Sequence, residues 1–547
     1  MKNVLKRTLC LLLAVTMILS LAACGDPSGE QQTNPPGAEN TTPDDNPNQS
    51  RRPSGGGTPN HNARDEGLEP QYGGEFHMVK TTSPATLFPQ KYATNGGGYL
   101  GACLETLCYQ NPTTNEIEPR LVEEYHFDME GDGTITARLR EGVMFHDGSE
   151  LTAEVVKWNY DFMKQSGLGD TIYDVNVEAT GKYTFTMTFS EYHIDAPTIL
   201  VKTVNSKQAY ETYGEDYLEQ HPVGTGAFVF VEYVPDQKIV YERFDNYWQE
   251  GYPYLDRYVV DIISDANAAT TAFLNGDVHA LEQSNSDQCA MIEAQGYEDI
   301  HFSTFNNSTV YGFAPNSRVE GDPWYNLQVR QAVMLYGINY EALRALAGKD
   351  LAVLNHNFDN PGSLIYEESF NEAYVYDKDK ALKMLADAGY PNGFDTTIYC
   401  RNTFKSVATT LQALLGDLNI RADVQLVQPN DPRLFDGVTP GVFISVATSS
   451  WDIITKPMTN IYNQRGGTYG KNILFSDEYQ ELFERVVVAK NYEDRGRLGK
   501  ELMQKFFIDE CLYAVCYSKE SNVYVRNEAH NTGLDIKLPS PYQTWVG

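Results

Sequence analysis

Residues 139–154 read Leu139-Arg140-Glu141-Gly142-Val143-Met144-Phe145-His146-Asp147-Gly148-Ser149-Glu150-Leu151-Thr152-Ala153-Glu154. This stretch leaves Gly133–Arg140 (GTITARLR), whose alternation of apolar and polar positions predicts a strand. Asp147-Gly148 is a turn signal, because Asp bonds its own backbone and Gly accepts conformations closed to other residues. Thr152 stands at an N-cap position. Behind it Val155, Trp158 and Phe162, with Val156, Tyr160 and Met163, recur at helical spacing.

The same interleaving extends in both directions. Glu75–Lys80 (EFHMVK) alternates like a strand and runs into the polar turn Thr81-Thr82-Ser83-Pro84. Asp377 caps a predicted helix bearing Ala381, Leu382, Leu385 and Ala388, which Gly389 and Pro391 stop. Strands mixed with helices throughout indicate an α/β fold. One hydrophobic core rarely outgrows about 250–300 residues, so a chain of 547 residues requires at least two lobes. With 74 acidic against 42 basic residues the net charge is −32, which repels phosphate backbones and excludes nucleic acid as a partner. The 36 Tyr and 24 Phe suit a contact surface as well as ordinary packing on sheets.

The N-terminus is an address. Lys2, Lys6 and Arg7 precede an apolar run from about Thr8 to Leu21, too short and wrongly flanked for a membrane span. Leu21-Ala22-Ala23-Cys24 resembles a bacterial lipobox. The resemblance implies a lipoprotein signal peptide over 1–23, with Cys24 lipidated as the first mature residue and the body held on the extracellular face of the cell membrane. Residues 24–70 are rich in Gly, Pro, Asn, Asp, Ser and Thr and read as a disordered tether. Six cysteines remain, Cys103, Cys108, Cys289, Cys400, Cys511 and Cys516. Their spacings fit no zinc site, and fifteen pairings are open to them; buried free thiols are the simplest expectation.

Further marks follow in order: PVGTGAF at 222–228, Arg243-Phe244-Asp245-Asn246-Tyr247-Trp248, Val329-Arg330-Gln331-Ala332-Val333 ahead of Ile338-Asn339-Tyr340-Glu341-Ala342-Leu343, and Ala388-Gly389-Tyr390-Pro391-Asn392-Gly393-Phe394. Together with residues 139–154 they resemble the family 5 extracellular solute-binding proteins, the oligopeptide, dipeptide and nickel receptors of ABC importers. The resemblance covers about residues 72–547. It implies a two-lobed periplasmic-binding-protein-like fold (type II, cluster C) with an inserted subdomain in the first lobe. The implied division is lobe 1 over 71–110, the insertion over 111–220, lobe 1 again over 221–322, lobe 2 over 323–515, and a return to lobe 1 over 516–547. It implies a monomeric, non-enzymatic receptor without cofactor or resident metal, which captures peptides or similar solutes for a permease and its ATPase. A peptide-sensing lipoprotein is the alternative, and an anchored extracellular hydrolase a weaker one.

The residues themselves add little chemistry. There is no G-x-S-x-G, no H-E-x-x-H, and the ten His are scattered. Gly96-Gly97-Gly98-Tyr99-Leu100-Gly101 satisfies G-x-G-x-x-G without a preceding strand; it reads as a loop opening a helix from Tyr99 to about Tyr109, whose free N–H groups face an anionic group or simply turn the chain. Gly224 and Gly226 read as tight turns, and Arg330 as an ion-pairing anchor of its helix. By the resemblance, the ligand cleft is lined by Thr81, Thr82, Ser83, Gly98 and Tyr99 from the first lobe. The second lobe contributes Arg401, Ser450, Trp451 and Asp452. Peptide-binding members carry an Asp for the ligand α-ammonium. Alignment on Lys456-Pro457 puts Ile453 there, with Asp452 one residue away, so the amine anchor departs from the pattern. Arg401 suits a ligand carboxylate or a local acid.

Overall fold

The computed structural model describes residues 65, 67–84, 86–91, 98–111, 116–168, 174–300, 309–348, 351–359, 363–428, 431–434, 436–448, 470–519, 521–534 and 539–547. Cys24, Ser450, Trp451 and Asp452 lie outside them. None of the helices among the described residues is long and apolar enough to cross a membrane.

Strand β1 (Glu75–Lys80) forms as its alternation predicts, with Phe76 and Met78 buried in one core layer and Val79 in another. A short hairpin follows, β2 (Cys108–Gln110) with β3 (Ile117–Pro119). An antiparallel sheet then gathers β4 (Val122–Phe127), β5 (Ile135–Leu139), β6 (Asn176–Ala179) and β7 (Thr184–Thr188) in the order β4-β5-β7-β6. Ile135, Ala137 and Leu139 on β5 share a core with Val156, Tyr160 and Met163 of the helix Ala153–Met163. Thr152 occupies the N-cap with extended backbone, but its side chain makes no cap bond. Between strand and helix, Gly148 takes φ +80° and Asp147 accepts from Ser149 N and Oγ, at 2.9 and 2.6 Å.

The chain returns to the first sheet with β8 (Phe228–Val234), β9 (Lys238–Arg243), β10 (Arg257–Ile262) and β11 (Ala280–Gln283), and β1 runs parallel to both β10 and β11. A second six-stranded sheet comprises β12 (Thr309–Pro315), β13 (Ala352–Val353), β14 (Asp395–Cys400), β15 (Arg421–Leu426), β16 (Val442–Thr448) and β17 (Ala514–Lys519), in the order β13-β17-β12-β16-β14-β15. Both faces of it are covered: Ile398, Val442 and Ile444 pack on one side, and Tyr399, Phe443 and Val515 on the other. The chain then rejoins the first sheet through β18 (Asn522–Val525), and β19 (Ala529–His530) pairs with β20 (Trp545–Val546). Because β12 is hydrogen-bonded to β16 and β17, the change of sheet falls between Gln283 and Thr309, ahead of the expected division at 322/323. For the same reason the return begins after Lys519 rather than at 516.

A buried carboxylate joins the insertion to the first sheet. Glu105, 1% exposed, accepts hydrogen bonds from Arg120 Nε (3.1 Å), Thr225 Oγ1 (2.9 Å), Tyr247 OH (2.8 Å) and Trp248 Nε1 (3.0 Å). The glycines beside Thr225 serve close approach rather than a turn. A Cβ at Gly224 would lie 2.1 Å from the Cys103 carbonyl oxygen, and one at Gly226 2.5 Å from that of Ala102. Neither glycine has positive φ. His146 donates from Nε2 to the Gly226 carbonyl at 2.8 Å, and burial holds its pKa below the ordinary value.

Two other expectations need revision. Arg330 is buried, but its guanidinium donates to the carbonyls of Trp324, Tyr325 and Glu510 at 2.8, 2.9 and 3.1 Å. It anchors its helix through backbone oxygens. No helix spans 99–109: Leu100 accepts a tight turn from Cys103 and Leu104, after which Thr106 and Leu107 extend to pair with Thr203 and Lys202. The six cysteines are free and buried, and burial pushes the thiols of Cys103, Cys108 and Cys511 up to about 12.

Glu105→Ala removes the counter-charge of the half-buried Arg120 and strands the donors of Thr225, Tyr247 and Trp248, so a loss of about 3–5 kcal/mol in urea unfolding is expected. Full stability of that variant would overturn the assignment. His356 is buried, stacks on Tyr374 with centroids 4.0 Å apart, and donates from Nδ1 to the Val515 carbonyl. Burial lowers its pKa from 6.5 to about 4. The unfolded chain therefore binds a proton the folded chain refuses between those values, and stability is complete above pH 6.5 and falls toward pH 4. Between pH 7 and 5 the wild type should lose about 2 kcal/mol more than His356→Asn. Parallel pH profiles would remove His356 as the source.

Candidate functional site

Strand polarity defines one edge of each sheet. In the first, the parallel strands β1, β10 and β11 end together at Lys80, Ile262 and Gln283, with the start of β18 at Asn522 paired to Gln283. In the second, β12 begins at Thr309 opposite Thr448 and Lys519, the last residues of β16 and β17, while β14 ends at Cys400, one residue past Tyr399, which is level with Phe443 of β16. Both chain crossings join these two edges, Gln283 to Thr309 and Lys519 to Asn522. They are tied on the first-lobe side, where Val523 N donates to Asp299 Oδ1 at 2.8 Å and Ile300 N to the Val523 carbonyl at 2.9 Å. The carboxyl ends of parallel strands, where loops splay apart, are the places where α/β sheets bind ligands.

The expected first-lobe residues come together there. Thr81 and Thr82 follow β1 and are exposed. The Tyr99 hydroxyl donates to the Thr82 carbonyl at 2.7 Å and receives the Thr82 hydroxyl at 3.1 Å. The Ser83 hydroxyl donates to Asp236 Oδ1 at 2.7 Å and accepts from the Asp236 amide at 2.9 Å. Gly98 has φ +84°, and a Cβ there would stand 3.2 Å from Cε and Nζ of Lys80, so the backbone approaches the end of β1 closely. Tyr99 is held from behind by Tyr241, whose hydroxyl donates to its carbonyl at 2.7 Å. The result is a rim of hydroxyls and backbone groups that also carries the Asp236 carboxylate.

Three residues of this rim escape sequence reading. Asp236 lies in the β8–β9 turn with φ +59° and is 153 residues from Ser83. Pro235-Asp236 marks a turn, but nothing in it names its partner. Lys80 and Glu282, 3.7 Å apart, face each other only because β1 and β11 are neighbours.

In the second lobe Arg401 directly follows β14, is half-buried, and lays its guanidinium over the Phe404 ring at 5.1 Å. Among the described residues it has no carboxylate partner. A planar cation stacked on an aromatic ring keeps its in-plane donors available for a bidentate acceptor.

Comparison with known proteins places this geometry. Residues 116–472 match the model of the "Bacterial extracellular solute-binding proteins, family 5 Middle". The glutathione-binding protein GsiB of Salmonella typhi is 29% identical over 311 residues, 54% of this chain and 59% of the relative. Heme-binding protein A of Haemophilus influenzae is 26% identical over 444 residues, 71% and 76% of the two chains. The chain thus spans about three fifths of the length of the glutathione-binding relatives it matches. Among solved structures, CtaP of Listeria monocytogenes superposes with a TM-score of 0.73 at 18% identity, over 87% of this chain and all of that one. DppA of Helicobacter pylori, in complex with the peptide STSA, gives 0.72 at 20% identity over 87% and 98%. These similar proteins are two-lobed receptors rather than enzymes, and by the extent of the family match the chain belongs to family 5 of the bacterial extracellular solute-binding proteins.

Proposed function

We propose that the chain captures a small peptide-like solute between its lobes, at the outer face of the cell membrane, and delivers it to an ABC permease and ATPase. The observation that carries this reading is a hydroxyl-rich rim on the first lobe, together with an arginine that has no carboxylate partner among the described residues at a strand end of the second. A ligand offering amide groups and a carboxylate satisfies both. The relatives' named ligands, glutathione, heme and peptides, lie within that range. Ile453 at the expected amine-binding position favours ligands whose amine is displaced from the usual place. A γ-glutamyl tripeptide is one such ligand. Anchoring rests on the lipobox ending at Cys24, since a lipid-bearing N-terminus keeps the body near the permease at high local concentration.

Titration calorimetry and thermal melting with reduced glutathione, the tetrapeptide Ser-Thr-Ser-Ala and haemin test the ligand class. One of the first two should bind with a dissociation constant of roughly micromolar order or tighter. At one hundred times that constant it should add about 2.7 kcal/mol to stability. Arg401→Ala should weaken that ligand by about tenfold or more, the cost of a lost charge-assisted pair. Binding of none of the three, or an unaffected Arg401→Ala, would overturn the peptide-like assignment. Metabolic labelling with a radioactive fatty acid should mark the wild type and not Cys24→Ala. Equal labelling, or none in the wild type, would dispose of the lipid anchor.

A further inference from the structure

Asp195 sits at the N-cap of the short 3-10 helix Ala196–Val201 in the insertion, yet its side chain makes no cap hydrogen bond. Its carboxylate instead meets the second lobe. Asp195 Oδ2 stands 3.3 Å from Arg495 Nη2, and Oδ1 accepts from the Tyr492 hydroxyl at 3.2 Å. The ion pair is enclosed, with side chains 0% exposed for Arg495 and 4% for Asp195.

The two partners belong to different cores. Ala196, Ile199 and Leu200 pack within the insertion. Leu498, Leu502 and Met503, on the same helix Tyr492–Gln504 as Tyr492 and Arg495, pack against the second sheet. A second contact lies beside the first: the Lys490 ammonium stands 5.5 Å from the centre of the Tyr192 ring. That ring stacks on Phe127 of β4 at 6.2 Å, which holds it in the insertion. The insertion is in turn fastened to the first sheet through Glu105. Rotation of the second lobe about the two crossings therefore carries Arg495 and Tyr492 away from Asp195.

We propose that Asp195, Arg495 and Tyr492 form a closure latch, made when the insertion and the second lobe meet and broken when they part. It sets the balance between open and closed forms from outside the ligand cleft. A buried ion pair suits the task, because the desolvation of both charges largely offsets their attraction. The closed form is then favoured without being locked, and ligand contacts can tip it. The proposal rests on the fold alone. Failure of any candidate ligand to bind leaves it standing.

The test uses the ligand-free, full-length protein, with hydrogen–deuterium exchange and small-angle scattering. Tyr492→Phe removes one hydroxyl, Asp195→Asn removes the charge, and Arg495→Met with Asp195→Asn replaces the ion pair altogether. Asp195→Asn should speed exchange of segments 190–196 and 490–496 together by about tenfold or more, enlarge the radius of gyration, and leave β12, β14 and β16 unchanged. Tyr492→Phe should move in the same direction by less. The double variant should cost less than the sum of its single changes, the mark of directly coupled partners. Unchanged exchange in both segments overturns the latch. So does acceleration that extends to the core strands, which would mark the pair as a support of folding, and so does loosening of only one segment at constant radius.

Discussion

Glu105 carries a charge that has no access to water and is answered entirely by the protein. A carboxylate offers about four lone-pair sites, and Arg120, Thr225, Tyr247 and Trp248 supply one donor each. The donors come from the start of the insertion, from the bend that leads into β8, and from the loop after β9. Losing any one leaves the others around an under-satisfied charge, and such networks are costly when incomplete. The segments 222–228 and 243–248 are thus drawn together around one buried group, through Thr225, Tyr247 and Trp248. Gly224 and Gly226 belong to the same constraint, since the backbone must pass against the carbonyls of Cys103 and Ala102 for Thr225 to reach the carboxylate.

That joint makes the insertion and the first sheet one body. The second sheet, covered on both faces, makes another. Two crossings join these bodies, and the described residues beside them are tied to each other by Asp299, Ile300 and Val523 at one end and by the pairing of Thr309 with Lys519 at the other. The first sheet's edge carries the hydroxyl rim of Thr82, Ser83 and Tyr99, and Arg401 follows β14 in the second lobe.

Buried charges elsewhere follow the same economy by different means. Arg330 is met by three backbone carbonyls instead of an acid, and burial lowers its pKa. His146 and His356 stay neutral and use one ring N–H to satisfy a carbonyl each. The Asp195–Arg495 pair differs, because its two halves sit on elements free to separate.

Local chemistry was legible in the sequence wherever one segment decides its own conformation. β1, the helix 153–163 and the Asp377 cap form as periodicity and capping require, because alternation, helical spacing and an Asx side chain act over a few residues. The order of the motifs likewise pointed to the α/β two-lobed fold, since each motif reports a fixed local packing need. The cluster of Thr81, Thr82, Ser83, Gly98 and Tyr99 was named, but its partners Asp236 and Tyr241 were not. Only the tertiary structure decided what answers Glu105, that Arg330 meets carbonyls, that 99–109 turns and then pairs with Lys202 and Thr203 rather than forming a helix, and that Asp195 reaches Arg495 some 300 residues away. Those outcomes depend on which distant groups burial brings within about 3 Å, and no local pattern encodes that distance.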